Sequence, residues 1–462
     1  HRSRNSYTLA FLPISFFIES TIGPFPIMQQ CCYHFFMTFP SIFPHFCQRL
    51  HFFSRELTED PTDVITFLEA CQPDEYIGYI SIRPLDSHVV GRTFLIEPDS
   101  LKNRTDVIHC RDQFHANIAG QSFFLYTTPY IEGDGVVNLC AHSCIWMFSR
   151  SQERRFNMPR AYPYQINEYA TKNYSGGIST PSPGLNPWQM AETFKQMGYY
   201  PIMYWKKSVK SFDMLWEVPR FIYPYVRSSI PIIAILSPKE KKAGRHSVIV
   251  TGMHRPLAQT SAKSKVSFVG SNAQFVIVHD NFDVPFKEMS LKEIEQIERL
   301  IIALPNEIRF SADGAQDYVE SKLSDTDVEN RLRELFQDND WKFGKDTMEF
   351  FNKKKRIIAD IRLVKTNNFK LSLRNRANPT NPEVVSEYCS HNMPKYVWLI
   401  ELTDDDLQKN NLIFGEILID ATSDKSRIPY GWVHLPHAMF SPFSEDQPFE
   451  DDPPYSPYSE VL

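Results

Sequence analysis

The run Gly135-Val-Val-Asn-Leu-Cys-Ala-His-Ser-Cys-Ile-Trp-Met-Phe148 constrains this chain most, because it sets a thiol where a helix begins. Gly135 and Asn138 are turn and cap formers. After Cys140, the residues Cys144, Met147 and Phe148 recur at the spacing of one helix face. A cysteine in the first turn lies near unpaired N–H groups and the positive end of the helix dipole, and both favour thiolate over thiol. Cys140 is therefore a candidate nucleophile. Its plainer reading is a small buried hydrophobe, and Cys144, four residues on, reads as packing. His142 falls about 200° round the helix from Cys140, away from any site there.

Thiol catalysis needs an imidazole within hydrogen-bond reach and a group that orients it. Gly244-Arg-His246-Ser-Val-Ile-Val-Thr-Gly252 begins a buried-looking strand on a histidine, and Phe275-Val-Ile-Val-His-Asp280 ends another on a carboxylate. If these strands are antiparallel neighbours, the start of one lies beside the end of the other. His246 and Asp280 then share a sheet edge. His279 and Asp280 point to opposite faces, so only one serves a cleft. Asn281 is the backup orienter, and Asp280 also fits a plain turn former. A metal reading takes Cys140 and Cys144 from one helix, with His109, Cys110 or His115 completing a tetrahedron. No pair of Cys-x-x-Cys knuckles supports it, and no Walker-type or Gly-x-Gly-x-x-Gly phosphate loop occurs after a strand. No metal or cofactor is expected.

The order of helix-starting Cys, strand-leading His and strand-ending Asp resembles the papain-like cysteine peptidases. The similarity is greatest to the bacterial branch that cleaves double-glycine leader peptides, and to its uncharacterised relatives. That branch often shows Asp-Cys-Gly-Pro-Ala-Cys-Leu-Ala-Met, and Leu139-Cys-Ala-His-Ser-Cys-Ile-Trp-Met147 matches at both cysteines and the methionine. The family's His-Phe/Tyr-Val-Val-Val-Thr-Gly strand is similar to His246–Gly252, and its Val-Asn-Asp-Pro ending to Val278-His-Asp-Asn281. The resemblance covers roughly residues 130–290. It implies an α+β fold, with an N-terminal catalytic helix packed on an antiparallel sheet. It further implies amide hydrolysis by a Cys140–His246–Asp280 triad through an acyl-enzyme thioester, on a peptide or protein substrate. Acyl transfer or deamidation uses the same apparatus, and a non-catalytic binding or assembly protein could keep the fold. The family usually carries a Gln shortly before the nucleophile to meet the oxyanion. Residues 132–138 contain none, which leaves the Asn138 side chain as the expected donor beside the Cys140 backbone N–H. Ala141 stands where the family usually has Gly.

The chain of 462 residues is long enough for several packed sections. Residues 1–55, rich in Phe, Pro, His and Cys, read as a poorly ordered or non-native leader; a targeting role for the apolar run at 8–18 is the weaker alternative. A β-rich lead-in is expected at 56–129, the papain-like unit at 130–310, a charged helical connector at 311–356, a β-rich section at 357–440 and a disordered acidic Pro/Tyr tail at 441–462. Helices are expected at 63–71, 163–171, 187–197, 208–217, 291–302 and 325–336. Strands are expected at 76–82, 92–96, 114–118, 122–127, 231–236, 246–253, 274–279, 357–364, 370–374, 396–402 and 414–419. The stretch 255–265 reads as a hairpin loop between 246–253 and 274–279. Net charge is −6, so no global basic field attracts nucleic acid. No integral membrane segment is expected. Eight cysteines lack a disulfide-framework spacing, which favours a reducing, cytoplasmic home. The sequence is silent on oligomeric state.

Overall fold

The computed structural model describes residues 15–21, 47–55, 64–83, 85, 87–135, 138–173, 184–205, 214–237, 244–257, 266–324, 330–335, 357–376, 381–424, 431–441, 447–448 and 454–459. Within them the chain mixes helices with largely antiparallel sheets. The candidate site hangs on the central sheet. Its path runs Lys287–Ser290, Phe275–His279, His246–His254, Ile232–Leu236, Ile297–Pro305 and Tyr199–Trp205, antiparallel throughout, and Val107–His109 pairs with the far end of His246–His254. Ile232–Leu236 reads Ile-Ile-Ala-Ile-Leu and is buried through Ile235, as a short continuous apolar run with β-branched residues should be.

The helix Cys140–Phe156, hereafter the cysteine helix, packs on Ile232–Leu236 and His246–His254. Every residue from Ala141 to Ser149 is buried, so the helix is covered all round. It stops at Asn157, which adopts the left-handed conformation (φ 53°) that Asn tolerates. Pro163–Thr171 and Pro187–Gln196 follow, the second capped by Asn186, whose side chain accepts from the Trp188 and Gln189 N–H groups.

A first sheet orders Ser15–Thr21, Cys47–Phe53, Tyr76–Ile82, Val90–Leu95 and Tyr130–Ile131, and Asp112–Ile118 with Gln121–Thr127 forms a separate hairpin. A third sheet is built on Ile357–Lys365, Tyr396–Thr403, Gly415–Asp420 and Gly431–Leu435. One apolar core runs from Phe53 and Phe94 through Trp146, Ile233 and Val250 to Ile361 and Trp398. The helix Met214–Arg227 touches both His246–His254 and Ile357–Lys365, and the Trp398 indole donates to the Phe310 carbonyl at 2.8 Å. Among the described residues no helix is long and apolar enough to cross a membrane.

Several sequence expectations are corrected. Of the poorly ordered or non-native leader expected at 1–55, residues 15–21 and 47–55 are described, and there Ser15–Thr21 and Cys47–Phe53 pair with each other and extend the first sheet. Residues 291–302 are not one helix: Leu291–Ile294 is helical, and Ile297–Pro305 is a strand between Ile232–Leu236 and Tyr199–Trp205. Its run Leu300 to Leu304 is buried without a break, and two strand neighbours override its helical spacing. Residues 370–374, expected as a strand, are the end and C-cap of the helix Thr366–Leu373, where Phe369, Ser372 and Leu373 share the buried face. The helix expected at 208–217 lies at Met214–Arg227, running through Pro219 and Pro224, while 206–213 are outside the described residues. Of the hairpin loop at 255–265, residues 258–265 are likewise outside them, and the chain between the two strands also forms Val266–Phe268, a member of the third sheet. Of the helix expected at 325–336, residues 330–335 are helical and the rest lie outside the described residues. Of the tail expected to be disordered at 441–462, the described residues 454–459 dock: Tyr455 bridges Ile413, and Tyr455 and Tyr458 are buried.

Candidate active site

The thiol, imidazole and carboxylate come from three element ends that the central sheet brings together. Cys140 is the first residue of its helix, and Leu139 before it is extended and offers no side-chain cap. The first turn therefore keeps its backbone N–H groups for whatever lies at the sulfur. No acidic residue sits in that turn, and Arg154 and Arg155 occupy the last one, so the dipole is undamped at its positive end and complemented at the other. His246 opens its strand opposite Leu236. Phe275–His279 pairs antiparallel with that strand, with His279 opposite Ile249, and Asp280 follows at once. The start of one strand thus lies beside the end of the other.

His246 Nε2 lies 2.8 Å from Asp280 Oδ1. The same carboxylate oxygen accepts the Phe282 N–H at 3.2 Å, and Lys287 Nζ stands 3.9 Å from Oδ2. Tyr130 Oη donates to the Asp280 carbonyl at 3.3 Å, which ties the carboxylate-bearing loop to the first sheet. The Cys140 thiol and the His246 side chain act on one another, His246 lowering the thiol and Cys140 raising the imidazole. With Nε2 taken by Asp280, Nδ1 is the nitrogen left for a partner other than the carboxylate. The His246 side chain is 29% exposed and that of Asp280 14%, so the row opens to solvent at the imidazole.

The ionisation of the three groups follows from this geometry. Burial would raise the Cys140 thiol. The His246 hydrogen bond, the Ser247 N–H, the imidazolium charge and the Ala141 N–H together outweigh it and hold the thiol below its ordinary value. Burial would lower His246, but the Asp280 and Cys140 hydrogen bonds and charges push it up to about 9. Burial likewise opposes the Asp280 carboxylate, and the His246 hydrogen bond and charge overcome it, so Asp280 ionises below the usual range. All three shifts run towards the charged forms, a thiolate beside an imidazolium and a carboxylate, which is the chemistry a nucleophilic thiol needs.

The neighbouring candidates stand apart from this row. Cys144 is fully buried, and burial pushes its thiol well up. His142 faces Asn167 Oδ1 at 2.7 Å in the core. His279 is buried against the Pro129 carbonyl, and burial lowers it to about 3. His254 stacks on Phe275. Asn281, the backup orienter, does not touch His246. It is fully buried, its side-chain amide finds no hydrogen-bond partner among the described residues, and its Nδ2 lies where a side chain on Gly133 would collide at 2.8 Å.

Asn138 departs from its expected orientation. Its Nδ2 donates to the Glu132 carbonyl at 3.2 Å, and its Oδ1 accepts the Ser143 hydroxyl at 3.1 Å. Its backbone N–H meets Asp134 Oδ1 and its carbonyl accepts the Asp134 N–H, both at 2.9 Å. The side chain is buried and braces the loop onto the helix rather than facing the sulfur. The alternative metal set does not converge either: the Cys110 thiol donates to the Val226 carbonyl and His115 packs on Phe124. Among the described residues no cluster of metal-ligating side chains occurs, and Cys47, Cys71, Cys110, Cys140, Cys144 and Cys389 are all free thiols.

One residue at the site escaped the sequence reading. Phe282, 50% exposed, lays its ring 5.6 Å from that of His246 and 6.2 Å from that of His88. An apolar residue directly after an Asp-Asn turn was the available signal, because a turn seldom needs one.

No family model matches the chain, and no curated protein matches its sequence. Among solved structures it is similar to the peptidase domain of Streptococcus ComA, a bi-functional ABC transporter involved in a quorum-sensing pathway. The identity is 15% over 36% of this chain and 90% of that one, with a TM-score of 0.23. It is also similar to the N-terminal peptidase C39-like domain of a toxin secretion ATP-binding protein from Vibrio parahaemolyticus. There the identity is 14%, over 36% of this chain and 95% of that one, with a TM-score of 0.19. Neither overlap is close enough to carry an argument.

Proposed function

We propose that this chain is a thiol-dependent amide hydrolase of the papain-like cysteine peptidase type, acting on a peptide or protein. The observation that carries the reading is the His246–Asp280 pair, with Nε2 and Oδ1 2.8 Å apart, beside a helix-starting Cys140 whose thiol that imidazole lowers. Cys140 Sγ, as thiolate, attacks the amide carbon and forms a C–S bond while the carbonyl electrons move to oxygen. That oxyanion meets the backbone N–H groups of the first helical turn, which need no particular side chain. With its amide engaged in the loop, Asn138 acts by holding that turn in position.

Collapse of the intermediate breaks the C–N bond, and imidazolium His246 gives its proton to the departing amine. A thioester remains. Water then loses a proton to neutral His246, attacks the thioester carbon and expels the Cys140 thiolate. Asp280 keeps the ring oriented through both steps and stabilises its charged form. A primary amine in place of water would give acyl transfer, and water attacking the thioester of a side-chain amide would complete a deamidation.

The test is to incubate the protein with a proteome-derived peptide mixture and read cleavage, deamidation and covalent adducts by mass spectrometry, beside Cys140→Ala. The proposal expects cleaved peptides and a transient acyl adduct on Cys140 in the wild-type chain, and neither in Cys140→Ala. Products of equal abundance in both would overturn it. A wild-type chain without turnover over a broad peptide set would favour a binding protein that keeps the geometry.

A further inference from the structure

A cavity of about 440 Å³ lies at the ends of the two site-bearing elements opposite to Cys140 and His246. Arg155 sits in the last turn of the cysteine helix, and Arg255 directly follows the histidine strand. Arg227 ends the helix Met214–Arg227, Arg111 follows Val107–His109, and Arg362 lies within Ile357–Lys365. A helix of 17 residues spans about 25 Å, so this cavity is well separated from the thiol. Among the described residues every charged side chain that lines it is an arginine.

The carboxylates that hold these arginines are not part of the lining. Asp360 is shared by Arg227 at 3.4 Å and Arg255 at 3.2 Å, Arg362 pairs with Glu401, and Arg111 Nε lies 2.7 Å from Glu97. One carboxylate between two guanidiniums cannot use all their donors, since each guanidinium carries five N–H groups in a fixed fork. Arg362 is 6% exposed, and its Nε finds no hydrogen-bond partner among the described residues. His109, also in the lining, is held neutral by burial, which lowers it to about 4, so the arginines carry the charge of the cavity.

Converging forks with donors to spare are built for oxyanions. The volume falls within the range of about 300–1,000 Å³ typical of small-molecule pockets, well beyond the needs of a single ion. We propose that this cavity binds a small molecule carrying two or more phosphate groups. Nothing in it depends on what Cys140 does.

Calorimetric titration of the full chain with inorganic tripolyphosphate at physiological salt and neutral pH tests the assignment, with citrate as the carboxylate arm. Saturable binding of tripolyphosphate is expected, at least about tenfold tighter than citrate. Arg155→Gln should weaken it by about tenfold or more, because a charge-assisted contact is lost. Arg111 holds the buried Glu97, so its variant is the charge-neutral pair Arg111→Gln/Glu97→Gln, with the same weakening expected. Unliganded melting temperatures establish that both variants fold. The proposal is overturned by no saturable heat at millimolar tripolyphosphate, by affinity unchanged in both variants, or by citrate binding as tightly as tripolyphosphate.

Discussion

At the scale of the residue, the protonation of Cys140, His246 and Asp280 is one coupled property. His246 is pushed up to about 9 from 6.5, so its contribution to stability is complete below 6.5 and lost as pH rises through about 9. Cys140 and Asp280 are held low, so theirs is present above the ordinary thiol and carboxylate values and lost as pH falls through the lowered ones. Turnover should therefore fall on the alkaline side as His246 loses its proton near pH 9, which a pH–rate profile of peptide cleavage would reveal. Asp280→Ala should cost about two to four orders of magnitude in turnover while circular dichroism stays native, since an unoriented imidazole populates the wrong tautomer. Asn138→Ala should behave differently. It strips the Glu132 carbonyl and Ser143 hydroxyl of their partner, so stability should drop by about 1 kcal/mol or somewhat more while turnover changes less than about tenfold. The element ends at Cys140 and His246 and the His246–Asp280 contact were legible because local pattern marks each boundary. Where the Asn138 amide points depends on Glu132 and on Ser143 across the turn, which spacing cannot encode.

At the scale of the element, strands bounded by clear turns were readable and mixed apolar runs were not. Tyr76–Ile82 and Phe275–His279 announce themselves by β-branched and aromatic content. Ile297–Pro305 has a helical spacing and becomes a strand because an open sheet position lies between two neighbours. The histidine strand carries a constraint of its own at Gly252, where an added Cβ would meet His109 Nδ1 and the Ile108 carbonyl at 2.9 Å. Gly252→Ala should therefore lower stability by about 1–3 kcal/mol by pushing Val107–His109 off the sheet. Chemical denaturation would measure the loss, and reactivity of Cys140 should survive in the folded fraction because His246 lies at the other end of the strand.

At the scale of the whole molecule, the three larger sheets share one apolar interior, a relation that no local period in the sequence declares. Trp398 sits in that interior with its indole N–H on the Phe310 carbonyl and its ring edge-on to Tyr225. Trp398→Ala should cost about 3–5 kcal/mol, and the central sheet should melt with the third one rather than after it. The docked tail was misread for the same reason. Its Pro, Tyr and acidic composition suggests disorder, but Tyr455 and Tyr458 are buried against chain distant in sequence.

The central claim is that His246 keeps Cys140 a thiolate, and the rate of iodoacetamide alkylation at Cys140 as a function of pH tests it most directly. In the wild-type chain the rate should titrate below the ordinary thiol value of 9.0, with Cys110 and Cys144 unlabelled because both are buried. In His246→Gln the profile should move back up towards or past 9.0, since burial then acts with less to oppose it. A wild-type profile already centred at or above 9.0, and unmoved by His246→Gln, would contradict the account.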